Sequence, residues 1–322
     1  MTTPYIRTLL AMAGLLLCGF AHSQGWPQQP VKVVVPFAPG GTVDTLSRFL
    51  SDRLQHELGQ SFIVENRPGA GGSIGTEAVV RAAPDGYTLL LAGLPTHALN
   101  PYLYKLDYDP IADLTAIGLV GAAPNLLVVN PGLGVNTVQE LLALARAKPG
   151  ELAFSSAGPG TTGHLAGEIL GRQAKLDIRH VPYKGQADAI LAVMRGDVAF
   201  AFVTIPGTLA RVEAGQLKAL GITSAERSAL APDIPTFAEA GVPDFVIMAW
   251  YSMSAPQGLS PQIQTRLTGA LDTIMTSPDT LARFASLGME PVYLKDDAYR
   301  DYLRQESEHW GAVVKAAGIH RD

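Results

Sequence analysis

The stretch Val31-Lys32-Val33-Val34-Val35-Pro36-Phe37-Ala38-Pro39-Gly40-Gly41-Thr42-Val43-Asp44 decides the fold class. Its first part is a short run of β-branched residues, the mark of a buried strand. Prolines and paired glycines interrupt that run, and helical spacing over Val43-Leu58 follows at once. Gly40 and Gly41 let backbone N–H groups approach a ligand closely, and a helix N-terminus favours an anion there. The plainer reading is a tight turn with Thr42 as N-cap and Asp44 complementing the helix dipole. On these residues alone both readings stand.

Outward from this unit the same alternation repeats. Strands are expected at Val31-Pro36, Phe62-Glu65, Tyr87-Ala92, Leu126-Asn130, Leu152-Ser155, Arg179-Val181, Val198-Phe202 and Leu217-Ile222. Helical spacing falls between them at Val43-Leu58, Ile74-Ala83, Val138-Ala147, His164-Ala174, Ala187-Arg195 and Thr208-Ala214. Strands alternating with helices mean α/β architecture, mostly parallel sheet with helices on both faces. From Leu259 the chain turns helical, over Pro261-Met275, Pro278-Leu287 and Asp297-Ala317, a tail expected to dock back on the first lobe. Size favours two lobes, because single cores stop growing at about 250–300 residues. With no low-complexity linker, the backbone is expected to cross between lobes as ordered strands near Ile117-Ala123 and near Thr223-Ala231. That places residues 24–122 and 224–322 in lobe 1 and residues 123–223 in lobe 2.

At the start, Arg7 precedes an apolar run from Leu9 to Phe20 and then Ala21-His22-Ser23. This is a secretory signal peptide over residues 1–23, with cleavage expected after Ser23 and release into the periplasm. The run is shorter than the roughly 20 residues a spanning helix needs. Cys18, the single cysteine, lies inside it, so thiol chemistry and disulfides leave with the segment. Lipidation at Cys18 is the alternative, but Leu17 fills the place that wants a small residue. The segment carries one arginine and no acid, so its loss makes the net charge of −5 one unit more negative. No basic stripe recruits nucleic acid, and no polybasic patch recruits anionic lipid.

Three glycine-rich loops could carry chemistry. Ser155-Ser156-Ala157-Gly158-Pro159-Gly160-Thr161-Thr162-Gly163-His164 again joins strand to helix, with hydroxyls and bare amides suited to a carboxylate. It satisfies G-x-G-x-x-G, yet Pro159 removes an amide and Asp177 precedes the next strand, where a ribose-binding acid should follow it. Asn66-Arg67-Pro68-Gly69-Ala70-Gly71-Gly72-Ser73-Ile74-Gly75 holds G-x-S-x-G, so a serine hydrolase with Ser73 as nucleophile is the enzymatic alternative. Several residues separate Ser73 from the preceding strand, which suits an N-cap better than a nucleophile elbow. No metal motif is present; His164 with Glu168 is one isolated i,i+4 pair, and neither a metal nor another cofactor is expected. Thr96 and His97, and Val181-Pro182-Tyr183-Lys184-Gly185, share the strand-end position where parallel sheets gather ligands.

Taken together, PFAPGGTVDTLSR (36–48), VENRPGAGGSIG (64–75), PDGYTLL (84–90), HALNPYLYK (97–105), HVPYKG (180–185), ITSAERSALAPDIPTFAEAG (222–241) and WGAVVKAAG (310–318) span the chain in order. In these segments the sequence resembles the Bug family of periplasmic solute receptors, the binding proteins of tripartite tricarboxylate transporters. The resemblance implies a two-lobed Venus flytrap of periplasmic-binding-protein type (type II-like) that holds a carboxylate on backbone amides and hydroxyls. Carried onto this chain, it implies a first-lobe group of Phe37, Ala38, Gly40, Gly41 and Asp44, with Thr96 and His97 nearby. The second-lobe group is Ser155, Ser156, Gly158, Thr161, Thr162 and His164, with Tyr183 at the side and Lys184 toward solvent. Where the family commonly shows an Asp-Asn pair after the strand Val198-Phe202, this chain has Val203-Thr204. A small organic acid is therefore expected over an amino acid. The implied partners are that ligand and membrane transporter subunits, for a monomeric receptor without enzymatic activity, or alternatively a two-component sensor receptor.

Overall fold

The computed structural model describes residues 25–317. The expected signal peptide over residues 1–23, Cys18 within it and Gly318 lie outside the described residues. The strands are β1 Val31–Val35, β2 Phe62–Asn66, β3 Thr88–Gly93, β4 Leu114–Val129, β5 Ala153–Ser156, β6 Arg179–Pro182, β7 Phe200–Thr204, β8 Lys218–Ile222 and β9 Met248–Pro256. The main helices are α1 Thr42–Leu58, α2 Ser73–Val80, α3 Val138–Ala147, α4 Thr162–Gln173, α5 Gln186–Arg195, α6 Pro261–Thr276, α7 Pro278–Leu287 and α8 Asp296–Ala317. Nearly all these lie within a few residues of the expected elements, because buried apolar runs and helical spacing are local signals.

Two sheets share β4. In the first, β1 runs parallel to β2 and β3, and β9 is inserted antiparallel between β3 and the first part of β4. In the second, β5 runs parallel to β6 and β7, while the end of β4 pairs antiparallel with β7 and β8. The expectation of mostly parallel sheets is thus corrected to mixed ones. Strands that carry the chain from one lobe to the other and back run in opposite senses, so β4 and β9 pair antiparallel along most of their length.

The first crossing lies at Pro124–Asn125: Pro124 pairs with Met248 of β9, and Asn125 pairs with Thr204 of β7. The return differs from the expected Thr223-Ala231. Thr223 is tied to Asn125 and Ile247, and the rings of Phe237 and Phe245 lie tilted against Phe202 with centroids 5.7 Å away in each case. Residues 224–246 therefore pack with the second sheet, and the chain returns at Ile247–Met248. Phe202 shares this core with Phe237 and Phe245, both more than 30 positions further on, which no local pattern announces. The helical tail docks as expected, with α6 against α1 and α8 against the turn at Pro95–Leu99.

Candidate ligand-binding cleft

A cavity of about 80 Å³ lies between the lobes, and three helices begin at its wall. Helix α1 contributes Gly41, Thr42 and Val43, α4 contributes Thr161 and Thr162, and α5 contributes Gly185 and Gln186. The N-cap residues Gly41, Thr161 and Gly185 are all extended, and none caps its helix with a side chain. Glycine has no oxygen to offer, and the Thr161 hydroxyl is spent on Gly158 O at 2.7 Å. First-turn N–H groups lack partners within their own helix, and each N-terminus carries roughly half a positive charge. Three such ends around one cavity suit an anion, although no arginine or lysine lines it. Phe37, Ala38, Pro95 and Ala157 make much of the remaining wall apolar.

The polar floor joins the lobes. Thr42 Oγ1 lies 2.6 Å from Thr204 Oγ1, which also donates to Gln186 Oε1 at 2.6 Å. Gln186 Nε2 in turn donates to Thr204 O at 3.2 Å and Pro206 O at 3.1 Å. Tyr251 lies beside Thr42 and Thr204; burial pushes its phenol far above the ordinary value, so it stays neutral. A second bridge runs from Tyr104 OH to Pro159 O at 3.3 Å. The lobes are in contact, and the cavity is the space left between them.

Asp44 sits at the cavity edge, 5% exposed. Burial opposes its charge, but Arg48 (3.0 and 3.1 Å), the Gly40 N–H (3.0 Å) and Asn66 Nδ2 (3.0 Å) hold its carboxyl below the usual range. Its oxygens are thus occupied in fixing the Gly40–Gly41 turn, where Gly40 has φ +84°. These contacts fix the start of α1.

Of the residues expected from the sequence, Phe37, Ala38, Gly41, Asp44, Thr161 and Thr162 come together at the cavity. Gly158 and Tyr183 line a neighbouring chamber of about 470 Å³ with Lys184, and Phe37 and Ala157 border both spaces. Thr96 and His97 lie beneath the wall: both hydrogen-bond Gly93 O, at 3.0 and 3.1 Å. Burial pushes His97 down to about 4, leaving it neutral. Ser155 donates to Ala189 O at 2.9 Å, Ser156 bonds Gly158, and His164 accepts from Gly160 N–H at 3.1 Å. These three are buried around the loop and do not line the cavity. Ser73 opens α2, its hydroxyl accepting from Asn100 Nδ2 at 2.9 Å. An amide nitrogen cannot take the serine proton, so this contact supplies no general base. Among the described residues, no group of three or more His, Cys, Asp or Glu could hold a metal ion, and no helix is long and apolar enough to cross a membrane.

The sequence reading missed Gln186, Thr204 and the Ala249–Tyr251 segment of β9 as wall residues. Gly185 and Gln186 follow the Tyr183-Lys184 loop and obey the same strand-to-helix rule that singled out the other two loops. Ala249, Trp250 and Tyr251 had no such signal, because their strand reaches the cavity only through pairing with β3 and β4.

Comparison with known proteins agrees with this geometry. The family model described as the tripartite tricarboxylate transporter family receptor matches residues 46–319. Protein BugT of Bordetella pertussis is 36% identical over 317 residues, covering 96% of this chain and 97% of that protein. The solved structure of R. palustris Rpa4515 with adipate superposes with a TM-score of 0.89 at 34% identity, covering 92% of this chain and 99% of the other. MatC from Rhodopseudomonas palustris with bound malate gives a TM-score of 0.83 at 32% identity, covering 90% and 100%. The two mixed sheets, the shared crossing strands and the cleft between them are the periplasmic-binding-protein fold, and the chain belongs to the tripartite tricarboxylate transporter receptor family.

Proposed function

We propose that the chain is an extracytoplasmic receptor that captures a small organic acid in the cleft and presents it to a tripartite tricarboxylate-type transporter. The convergence of three uncapped helix N-termini on one interlobe cavity carries this reading. A carboxylate gains there from amide dipoles that need no reorganisation, while the apolar wall takes the carbon skeleton. Related structures carry adipate and malate, acids of this kind. The first lobe is formed by residues 25–124 and 248–317, the second by 125–247, and closure brings them together as a monomer. The segment 1–23 directs export to the periplasm and is removed there. Ligand leaves unchanged, since the floor of the cleft is a closed set of neutral hydrogen bonds.

Isothermal calorimetry against mono-, di- and tricarboxylates tests the reading. Stoichiometric binding of at least one acid is expected, together with a more compact protein in solution scattering. Failure of the whole panel to bind, with folded protein, sinks it.

A further inference from the structure

Two imidazoles lie under the second-lobe loop. His164, in the first turn of α4, stacks on His180 of β6 with ring centroids 4.2 Å apart. Gly160 N–H donates to His164 Nδ1 at 3.1 Å. A backbone amide can only donate, so Nδ1 must be unprotonated and the neutral ring carries its proton on Nε2, 3.9 Å from Glu168 Oε1. His180 Nε2 shares a 2.7 Å hydrogen bond with Ser156 Oγ, which itself bonds both N and O of Gly158 at 3.1 Å. The turn Gly158–Thr161, which delivers Thr161 and Thr162 to the cavity, is thus tied to an imidazole at each end.

We infer that His164, in its neutral Nε2–H form, is a positioning residue for the anion site, and that its protonation unlatches the second-lobe loop. A proton on Nδ1 would set two donors against each other and leave the Gly160 N–H without an acceptor. The α4 N-terminus then loses the register that aims it at the cavity. The groups facing this ring are Glu168 on its own helix and His180 on β6, with Tyr104 of the first lobe close to Gly160. His180 stays neutral alongside: burial, then the neighbouring His164, push it down to about 3. His180 is a fixed platform, itself stacked on Phe154 at 5.0 Å.

The inference rests on the carboxylate reading only for its binding readout. Titrate adipate into the wild type, His164→Asn and His164→Leu at about pH 7.5 and about pH 5.5. The asparagine Oδ1 reproduces the Nδ1 acceptor without ionising. His164→Asn should bind as wild type does at the higher pH and keep that affinity at the lower one, beyond whatever protonation of adipate itself removes. The wild type should weaken further, and His164→Leu should be roughly tenfold weaker at both, the loss expected for one buried N–H left unpaired. In the ligand-free protein, the Gly160 amide resonance should move with the His164 ring titration. An identical pH profile for wild type and His164→Asn, or a Gly160 amide blind to His164 protonation, overturns the inference. If no acid binds the wild type, the carboxylate reading fails and the amide titration still decides this one.

Discussion

Replacing Thr204 with valine tests how the cleft closes. Thr204 Oγ1 lies 2.6 Å from Thr42 Oγ1 of the opposite lobe and 2.6 Å from Gln186 Oε1 of its own, and both threonines are 5% exposed. Valine keeps the shape and removes the hydroxyl. Each buried polar group left without a partner costs about 1–3 kcal/mol. The Gln186 share is felt whether the lobes are together or apart, because Gln186 and Thr204 sit in one lobe. The Thr42 share is felt only in the closed form, since water replaces the partner when the cleft opens. Closure should therefore weaken by about 1–1.5 kcal/mol, which lowers affinity for a ligand of the closed form roughly five- to tenfold. Thr42→Val should cost a similar amount. The double variant should lose less than the sum, because two facing methyl groups leave no orphan across the seam. Calorimetry on the four proteins measures this cycle. Losses that add to within about 0.3 kcal/mol, or unchanged affinity in Thr204→Val, refute the idea that this pair clasps the lobes.

Other perturbations follow from the same geometry. Asp44→Asn removes the charge that Arg48, Asn66 and the Gly40 N–H hold, and should cost about 1–2 kcal/mol in urea unfolding, with Arg48's exposure keeping the figure low. Because the folded carboxyl titrates below its ordinary value, the wild type should carry this stability above that value and lose it as pH falls through the lower folded one; acid unfolding curves of the two proteins should converge there. In Gly163→Ala the new Cβ would lie 2.4 Å from Phe202 O, so α4 must back away from β7. Thermal melts should show a loss of about 1–3 kcal/mol with weakened ligand binding, and an unchanged protein would contradict the packing. Glu306 Oε2 accepts from Trp250 Nε1 at 2.6 Å and from Trp310 Nε1 at 3.0 Å. Glu306→Ala should cost about 2–4 kcal/mol and alter tryptophan emission, and a spectrum unchanged from wild type would show that the indoles do not depend on this acceptor.

The loops that carry function were legible because their chemistry is local. Gly40–Gly41 and Thr161–Thr162 follow a strand and open a helix, and that order alone places uncapped amides at a sheet's edge. Less legible was which loop residue faces the cavity. Ser155, Ser156 and His164 share composition with the ligand wall, but their polar atoms are spent on Ala189, Gly158 and Gly160. His97 sits at a strand end as expected, yet its ring turns inward to Gly93 O. A hydroxyl or imidazole near a turn can serve either the ligand or the loop, and only neighbours distant in sequence choose between them.

The segment Met248–Pro256 shows where local reading stops. Alternation over Tyr251-Ser252-Met253-Ser254-Ala255 and the turn at Gln257-Gly258 are strand signals that the sequence reading passed over, but the insertion between β3 and β4 follows only from the pairing. That insertion brings Tyr251 to Thr42 and Thr204. By itself the sequence determined the α/β alternation, the helical tail and the anion-seeking character of the loops, since periodicity and glycine placement act over a few residues. Only the tertiary structure decided that three helix N-termini share one cavity and that a threonine pair closes it. Those facts depend on contacts such as Thr42 with Thr204, 162 positions apart.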